Sequence, residues 1–144
     1  QEFAVVGPDM HREFALQYEA RLLDGWGLTG YGCCDAPDQK LDDVFELLPN
    51  IRRISIAPSA KVDVCAPQMT GDYIFSWKPL PAHLVGRFDD EHVRQYIRHT
   101  IEVCREHDCV LEMVLKDTHT CEQHPERFDR WTRIAREEVN RAMQ

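Results

Sequence analysis

The hydrophobic positions along the chain alternate between a helical spacing and a strand-like spacing. From Asp9 onward, apolar residues recur every three or four positions, which predicts a leading helix that Asp9 caps and that Gly25 and Gly27 end. Short apolar runs follow, and each run is succeeded by another periodic segment. The predicted strands are 28–33, 51–56, 72–78 and 110–116, and the helices that follow them are 40–48, 60–69, 89–107 and a terminal helix from Pro125. Asp89 or Asp90 is predicted to cap the helix 89–107.

This order of elements, a helix and then four strand–helix units, indicates an α/β fold with parallel strands joined by right-handed crossovers. Two architectures satisfy that order: an open doubly wound sheet, or part of a (β/α) barrel. Polar residues follow each strand in turn instead of gathering at one crevice, which favours the barrel. We therefore predict that residues 1–144 form one domain, a TIM-barrel-like half-barrel of four parallel βα units with a leading helix.

Composition narrows the class of protein. The 144 residues are 43% hydrophobic and 29% charged, which is typical of a water-soluble globular domain, and no apolar run approaches the roughly 20 residues of a membrane helix. The net charge of −8, with basic residues scattered among acidic ones, argues against nucleic acid as a partner. Six cysteines are too few for a disulfide scaffold of this length, so we expect a reducing, cytoplasmic location.

Five short runs stand at the predicted strand ends or at the start of the last helix: Gly30–Asp35, Pro49–Pro58, Trp77–Pro79, Leu115–Thr120 and His124–Arg127. These runs resemble segments of an uncharacterised branch of the uroporphyrinogen decarboxylase and cobalamin-dependent methyltransferase superfamily. The resemblance covers nearly the whole chain, but only the C-terminal half of the usual family length. It implies the C-terminal half of a (β/α)8 barrel, whose N-terminal half lies outside this sequence or is replaced by a second copy in a homodimer. The missing initiator Met agrees with the expectation that an upstream segment has been lost.

The methyltransferase branch of this superfamily implies a zinc-thiolate site and a corrinoid. In that branch, a His-x-Cys at a strand end and a later cysteine bind zinc, which activates a thiol for methyl transfer from a corrinoid. Cys33 falls at the position of the first cysteine, Tyr31 replaces the histidine, and Cys121 lies near the place of the later cysteine. The resemblance therefore implies zinc as cofactor, with a corrinoid protein as partner. The decarboxylase branch holds its acidic substrate with residues that come mostly from the N-terminal half.

Metal-ligating residue types also cluster in the loop before the last helix. His119, Cys121 and His124 lie within six positions, and a cysteine from the end of the first strand could complete a tetrahedral site. The alternative is that the cysteines are small buried core residues and that His124 simply precedes the helix. The predicted metal ligands are Cys33, Cys34, Cys121 and His124.

Charged residues at the ends of the third and fourth strands are the candidates for catalysis, because the carboxyl ends of strands carry the active sites of barrels. We predict catalytic roles for Lys78, Asp117 and His119, and substrate-binding roles for Tyr31, Ser55 and Lys116. A lysine beside an aspartate could instead form a structural ion pair that closes the rim.

Three functions follow for a small-molecule substrate. The first is a methyltransferase-type barrel domain with a metal-activated thiol or a corrinoid-linked substrate. The second is a metal-free decarboxylase-like or lyase-like site built on Lys78, Asp117 and His119. The third is a half-barrel without catalysis that serves as a binding or assembly module.

Overall fold

The computed structural model describes residues 5–32 and 36–144. The leading helix α1 has three consecutive stretches, which are α-helical over Pro8–His11, π-helical over Arg12–Leu16 and α-helical over Gln17–Leu23. The other helices are α2 (Leu41–Leu47), α3 (Val62–Met69), α4 (Asp90–Glu106) and α5 (Glu126–Ala142). The strands are β1 (Thr29–Tyr31), β2 (Ile51–Ile56), β3 (Ile74–Trp77) and β4 (Val110–Met113). Short 3₁₀ turns at Thr70–Asp72 and Pro81–Leu84 flank β3.

The capping residue of the first helix differs from the one predicted. Helix α1 begins at Pro8 with Gly7 in the capping position, so the prediction of Asp9 as its N-cap is wrong. Asp9 lies inside the first turn, where its carboxylate still interacts favourably with the positive end of the helix dipole. The predicted cap of α4 is confirmed, because Asp89 Oδ1 accepts a hydrogen bond of 3.0 Å from the backbone N–H of His92.

Strand β2 has the predicted bounds, whereas β1, β3 and β4 are shorter than the apolar runs that predicted them. The third strand is predicted to begin at Asp72, but that residue belongs to the 3₁₀ turn at Thr70–Asp72, and β3 begins at Ile74. At the other end, Trp77 pairs with Met113 as the last residues of β3 and β4. Two positions after Trp77 comes Pro79, which has no N–H to offer to a neighbouring strand, and the regular ladder therefore stops there.

The four strands form one sheet in the order β1-β2-β3-β4, and every neighbouring pair is parallel. With right-handed crossovers, sequential order places the connecting helices on the same side of the sheet. A doubly wound sheet reverses its strand order partway, whereas successive strands of a barrel do not. The architecture is thus a mixed α/β fold whose parallel sheet is consistent with a half-barrel.

The hydrophobic core lies between the sheet and these helices. Alternate strand residues supply its sheet side, among them Ile54, Ile56, Phe75 and Trp77, which are all fully buried. Cys65 on α3 and Cys104 on α4 are also buried in this core, as expected for cysteines that act as small apolar residues. The other strand positions point to the opposite face of the sheet, where the polar residues gather.

Candidate functional site

Polar side chains occupy matching positions on three adjacent strands. Ser55 of β2 is the register partner of Ser76 of β3, and Ser76 is in turn the partner of Glu112 of β4. Arg53 lies two residues before Ser55 and therefore shares its face of the sheet. We call the surface formed by Arg53, Ser55, Ser76, Lys78 and Glu112 the polar face.

A continuous chain of hydrogen bonds crosses the polar face. The Nζ of Lys78 donates to the Oγ of Ser76 at 2.5 Å and to its backbone carbonyl oxygen at 3.1 Å. The hydroxyl of Ser76 donates in turn to Glu112 Oε2 at 2.5 Å. Arg53 completes the chain by donating from Nε to the same carboxylate oxygen at 2.8 Å. One serine hydroxyl thus links an amine to a carboxylate, which is the connection that a proton relay requires.

Burial divides these residues into two pairs. Ser76 and Lys78 are buried, and Lys78 is only 5% exposed. Arg53 and Glu112 are partly exposed, and their ion pair has its shortest N–O distance at 2.6 Å, from Arg53 Nη2. A molecule that approaches the polar face therefore meets Arg53 and Glu112 before it reaches the amine of Lys78.

The environment shifts the pKa values of both ends of the hydrogen-bond chain downward. Burial lowers the pKa of Lys78, and the positive charge of Arg53 adds to that effect. The hydrogen bond from Ser76 lowers the pKa of Glu112, and the contact with Arg53 does so further. Glu112 therefore stays ionised, while Lys78 gives up its proton more easily than an ordinary lysine does.

The residues that follow β4 lie beside this face. Lys116 Nζ is 3.3 Å from Asp117 Oδ2, so these two predicted site residues form an ion pair with each other. The charge of Lys116 also contributes to lowering the pKa of Lys78. Asp117 has a left-handed backbone, with φ of 57°, which turns the chain away from the strand direction. His119 follows two residues later and is exposed.

Tyr31 and Ser55, predicted to bind substrate, lie in different surroundings. The hydroxyl of Tyr31 donates to Glu19 Oε2 at 2.8 Å and lies 2.9 Å from the ring nitrogen Nε2 of His11, so it connects β1 to α1. Ser55 is buried on the polar face. Gly32 passes close above it, where a Cβ would stand 3.0 Å from the carbonyl oxygen of Ser55, and only glycine allows this approach at a φ of 95°.

The predicted metal ligands are only partly described. Cys33 and Cys34 lie outside the described residues, whereas Cys121 is a partly buried free thiol and His124 Nδ1 lies 2.9 Å from Glu126 Oε1. Within residues 5–32 and 36–144, no three His, Cys, Asp or Glu side chains are grouped so that they could hold a metal ion. Cys121 and His124 alone do not make the three-ligand set of a catalytic zinc.

Arg127 fixes the loop that carries these residues. Its Nη1 donates to the carbonyl oxygen of Cys121 at 3.2 Å and to Glu122 Oε2 at 2.9 Å. The same guanidinium reaches across to the segment after β3, where it donates to the carbonyl oxygens of Leu84 and Gly86 at 2.8 and 2.7 Å. The loops after β3 and β4 are therefore held together by one buried arginine.

Arg53, Ser76 and Glu112 were not among the predicted site residues. A signal for them exists in the sequence. Each occupies an alternate position of a strand whose intervening positions are apolar except Arg52, so a period-two comparison of the three strands places all three on one face. Only the register shows that they are neighbours.

Comparison with models of protein families, with curated proteins and with solved structures finds no match to this chain. Among the helices of the described residues, none combines the length and the apolar character that a membrane crossing requires.

Proposed function

We propose that the polar face is a metal-free site of the decarboxylase or lyase type, on a TIM-barrel-like half-barrel, that acts on a small oxo acid through Lys78. The observation that carries this proposal is the buried Lys78 amine, hydrogen-bonded to Ser76 at the carboxyl end of a parallel strand. In barrels that end of the sheet is the place of catalysis.

The first step would use Lys78 as the nucleophile. Its lowered pKa increases the fraction of neutral amine at neutral pH, and only the neutral amine can attack a carbonyl carbon. The proton that Lys78 loses can pass through the hydroxyl of Ser76 to Glu112, which holds it only transiently, along the hydrogen bonds already in place. Attack gives a carbinolamine, whose hydroxyl takes that proton back and leaves as water, so that a protonated imine remains on Nζ.

The second step would use that imine as an electron sink. In a 3-oxo acid, the bond between the carboxylate and the adjacent carbon breaks, CO₂ leaves, and the electron pair moves into the C–N unit as an enamine. Protonation of the enamine carbon and hydrolysis by one water release the ketone and restore the lysine. The net reaction is R–CO–CH₂–COO⁻ + H⁺ → R–CO–CH₃ + CO₂, and no step of it uses a metal.

Arg53 suits the carboxylate of such a substrate. Its guanidinium carries five N–H donors, and Glu112 takes only those of Nε and Nη2. It is also partly exposed, so an incoming anion reaches it before Lys78. An arginine at the entrance with an amine behind it would hold a molecule that has a carboxylate at one end and a carbonyl separated from it by one carbon.

Trapping of the imine tests this proposal. The protein is incubated with acetoacetate in the presence of a chelator and reduced with borohydride, and the modified peptide is identified by mass spectrometry. We expect a reduced adduct on Lys78 in the natural sequence and none in Lys78→Arg. Release of CO₂ should likewise occur with the natural sequence and be lost in Lys78→Arg. The matched control is Lys61→Arg, which alters an exposed lysine at the start of α3. Equal labelling of Lys78 and Lys61, or no adduct at Lys78, would overturn the proposal.

A further inference from the structure

Helix α1 carries an unusual row of exposed apolar side chains. Met10, Phe14, Tyr18 and Leu22 recur every four residues and are 55%, 60%, 56% and 72% exposed. Residues at this spacing lie above one another on a helix, so the four form one continuous line, which we call the apolar stripe. Single exposed apolar residues are ordinary on protein surfaces, whereas an aligned set of this size marks a contact surface.

The opposite side of α1 is firmly attached to the domain. Ala15 and Leu16 are buried, and His11 contacts the hydroxyl of Tyr31. Arg12 forms ion pairs with Asp43 and Glu46 of α2 at 2.5 and 2.7 Å. Because these contacts fix the rotation of the helix about its axis, the apolar stripe is held outward and cannot turn into the core.

Charged residues flank the apolar stripe on one side. Asp9, Glu13 and Arg21 each precede a stripe residue by one position, and they therefore share one edge of it. The guanidinium of Arg21 lies 5.7 Å from the ring centroid of Tyr18, which places that charge against the stripe. The edge is acidic toward the start of the helix and basic toward its end.

The charges along this edge attract the same edge of a second copy only when the two α1 helices are antiparallel. In an antiparallel pair of α1 helices related by a two-fold axis between Phe14 and Tyr18, Phe14 faces Tyr18 of the second copy, and Met10 faces its Leu22. In antiparallel packing the same edges of the two helices meet. Arg21 of each copy then lies beside Asp9 and Glu13 of the other. In a parallel two-fold pair opposite edges would meet, so Arg21 would not lie beside Asp9 and Glu13 of the other copy.

We propose that the apolar stripe of α1 is the interface of a two-fold symmetric dimer of this chain. The partner is a second copy because both the apolar residues and the flanking charges match their own antiparallel image. At about 100 Å² for each of the four side chains, the stripe supplies on the order of 400 Å² per copy, half of the roughly 800 Å² of a standard interface. The dimer is therefore expected to dissociate on dilution.

Sedimentation equilibrium on the full chain, over a range of concentrations, tests the dimer. We expect the mass to rise from 16.8 kDa towards twice that value. Phe14→Glu should weaken association by about 100-fold, because it buries a charge on each side of the two-fold axis. The control Val64→Glu introduces the same charge at an exposed apolar residue of α3 and should leave association unchanged. Circular dichroism confirms that both variants fold.

A charge exchange separates this interface from a general effect of surface charge. Arg21→Glu should weaken the dimer by about 10-fold, because four attractive contacts, two for each copy, become repulsive. Adding Glu13→Arg to that variant should restore part of the loss. A monomer at every concentration, a dimer insensitive to Phe14→Glu, or no rescue by the second exchange would overturn the proposal. So would binding of the monomer to anionic lipid vesicles through the same stripe.

Discussion

The buried carboxylate of Glu138 on α5 accepts a hydrogen bond of 2.8 Å from the guanidinium of Arg94 on α4. Arg98, one turn further along α4, donates to the other oxygen of the same carboxylate at 2.8 Å. Glu138 is 2% exposed. The hydrogen bonds from these arginines lower its pKa to about 2, and the bond from Arg98 has the larger effect. One acidic side chain therefore joins the terminal helix to the longest helix before it.

Removing this charge is expected to destabilise the domain. Glu138→Gln leaves Arg94 and Arg98 without their shared anion in a mostly buried place, and should lower the free energy of unfolding by about 3 kcal/mol. Urea unfolding at neutral pH measures the change. The neighbouring Glu137→Gln is the control, since Glu137 is half-exposed and should cost less than about 1 kcal/mol. Equal losses in the two variants would contradict this assignment.

The same carboxylate predicts how stability depends on acid. Its folded pKa of about 2 lies below the ordinary value of 4.5, so its contribution is fully present above pH 4.5. That contribution is lost as the pH falls from 4.5 towards 2, because protonation then becomes more favourable in the unfolded chain. Between pH 5 and pH 2, the free energy of unfolding should therefore fall more steeply with decreasing pH for the natural sequence than for Glu138→Gln. Parallel pH dependences would exclude Glu138 as the cause.

The charge of Lys78, in contrast to that of Glu138, is expected to lower the free energy of unfolding at neutral pH. Because burial lowers its pKa, the folded domain carries a cost for this charge that disappears as the pH rises towards 10.5, the ordinary lysine value. Lys78→Met keeps most of the unbranched side chain but removes the amine, and should raise the unfolding free energy at pH 7 by on the order of 1 kcal/mol. The gain should shrink in urea titrations at higher pH. Lys61→Met, at an exposed lysine, should show no such pH dependence.

Arg127 is expected to hold the two loops next to the polar face. Arg127→Lys keeps the charge but cannot reach four acceptors at once, and should cost about 2 kcal/mol of stability. Hydrogen exchange should become faster at the backbone of 84–86 and 121–124. Arg130→Lys is the control, because Arg130 pairs with Asp90 at a more exposed place. Hydrogen exchange in both segments should stay unchanged in that variant.

Tyr31 offers a test between two roles. If its hydroxyl mainly connects β1 to α1, Tyr31→Phe should lower the unfolding free energy by about 1 kcal/mol, because Glu19 and His11 lose a hydrogen-bond partner. Tyr73→Phe is the control, since the ring of Tyr73 stacks on Phe45 at 4.1 Å and that contact survives the change. Unchanged stability with weaker binding of acetoacetate would support the substrate-binding role that the sequence predicts.

Much of the fold was predictable because its signals are local. The alternation of strands and helices follows from periods of two and of 3.6 residues, and the cap at Asp89 follows from a short polar side chain before an amphipathic segment. Three of the four strand lengths were overestimated, since an apolar run such as 72–78 does not show where its neighbour stops pairing. Lys78 was predicted as a site residue because it follows a strand, and it is the predicted catalytic residue that belongs to the polar face.

The sequence by itself determined the order of the elements, their parallel arrangement and the strand ends at which charged residues would stand. Only the tertiary structure decided that Ser55, Ser76 and Glu112 form one row, and that the amine of Lys78 reaches Glu112 through Ser76. The reason is that strand register depends on contacts between residues far apart in the chain, and a shift by one residue would turn each of these side chains to the opposite face.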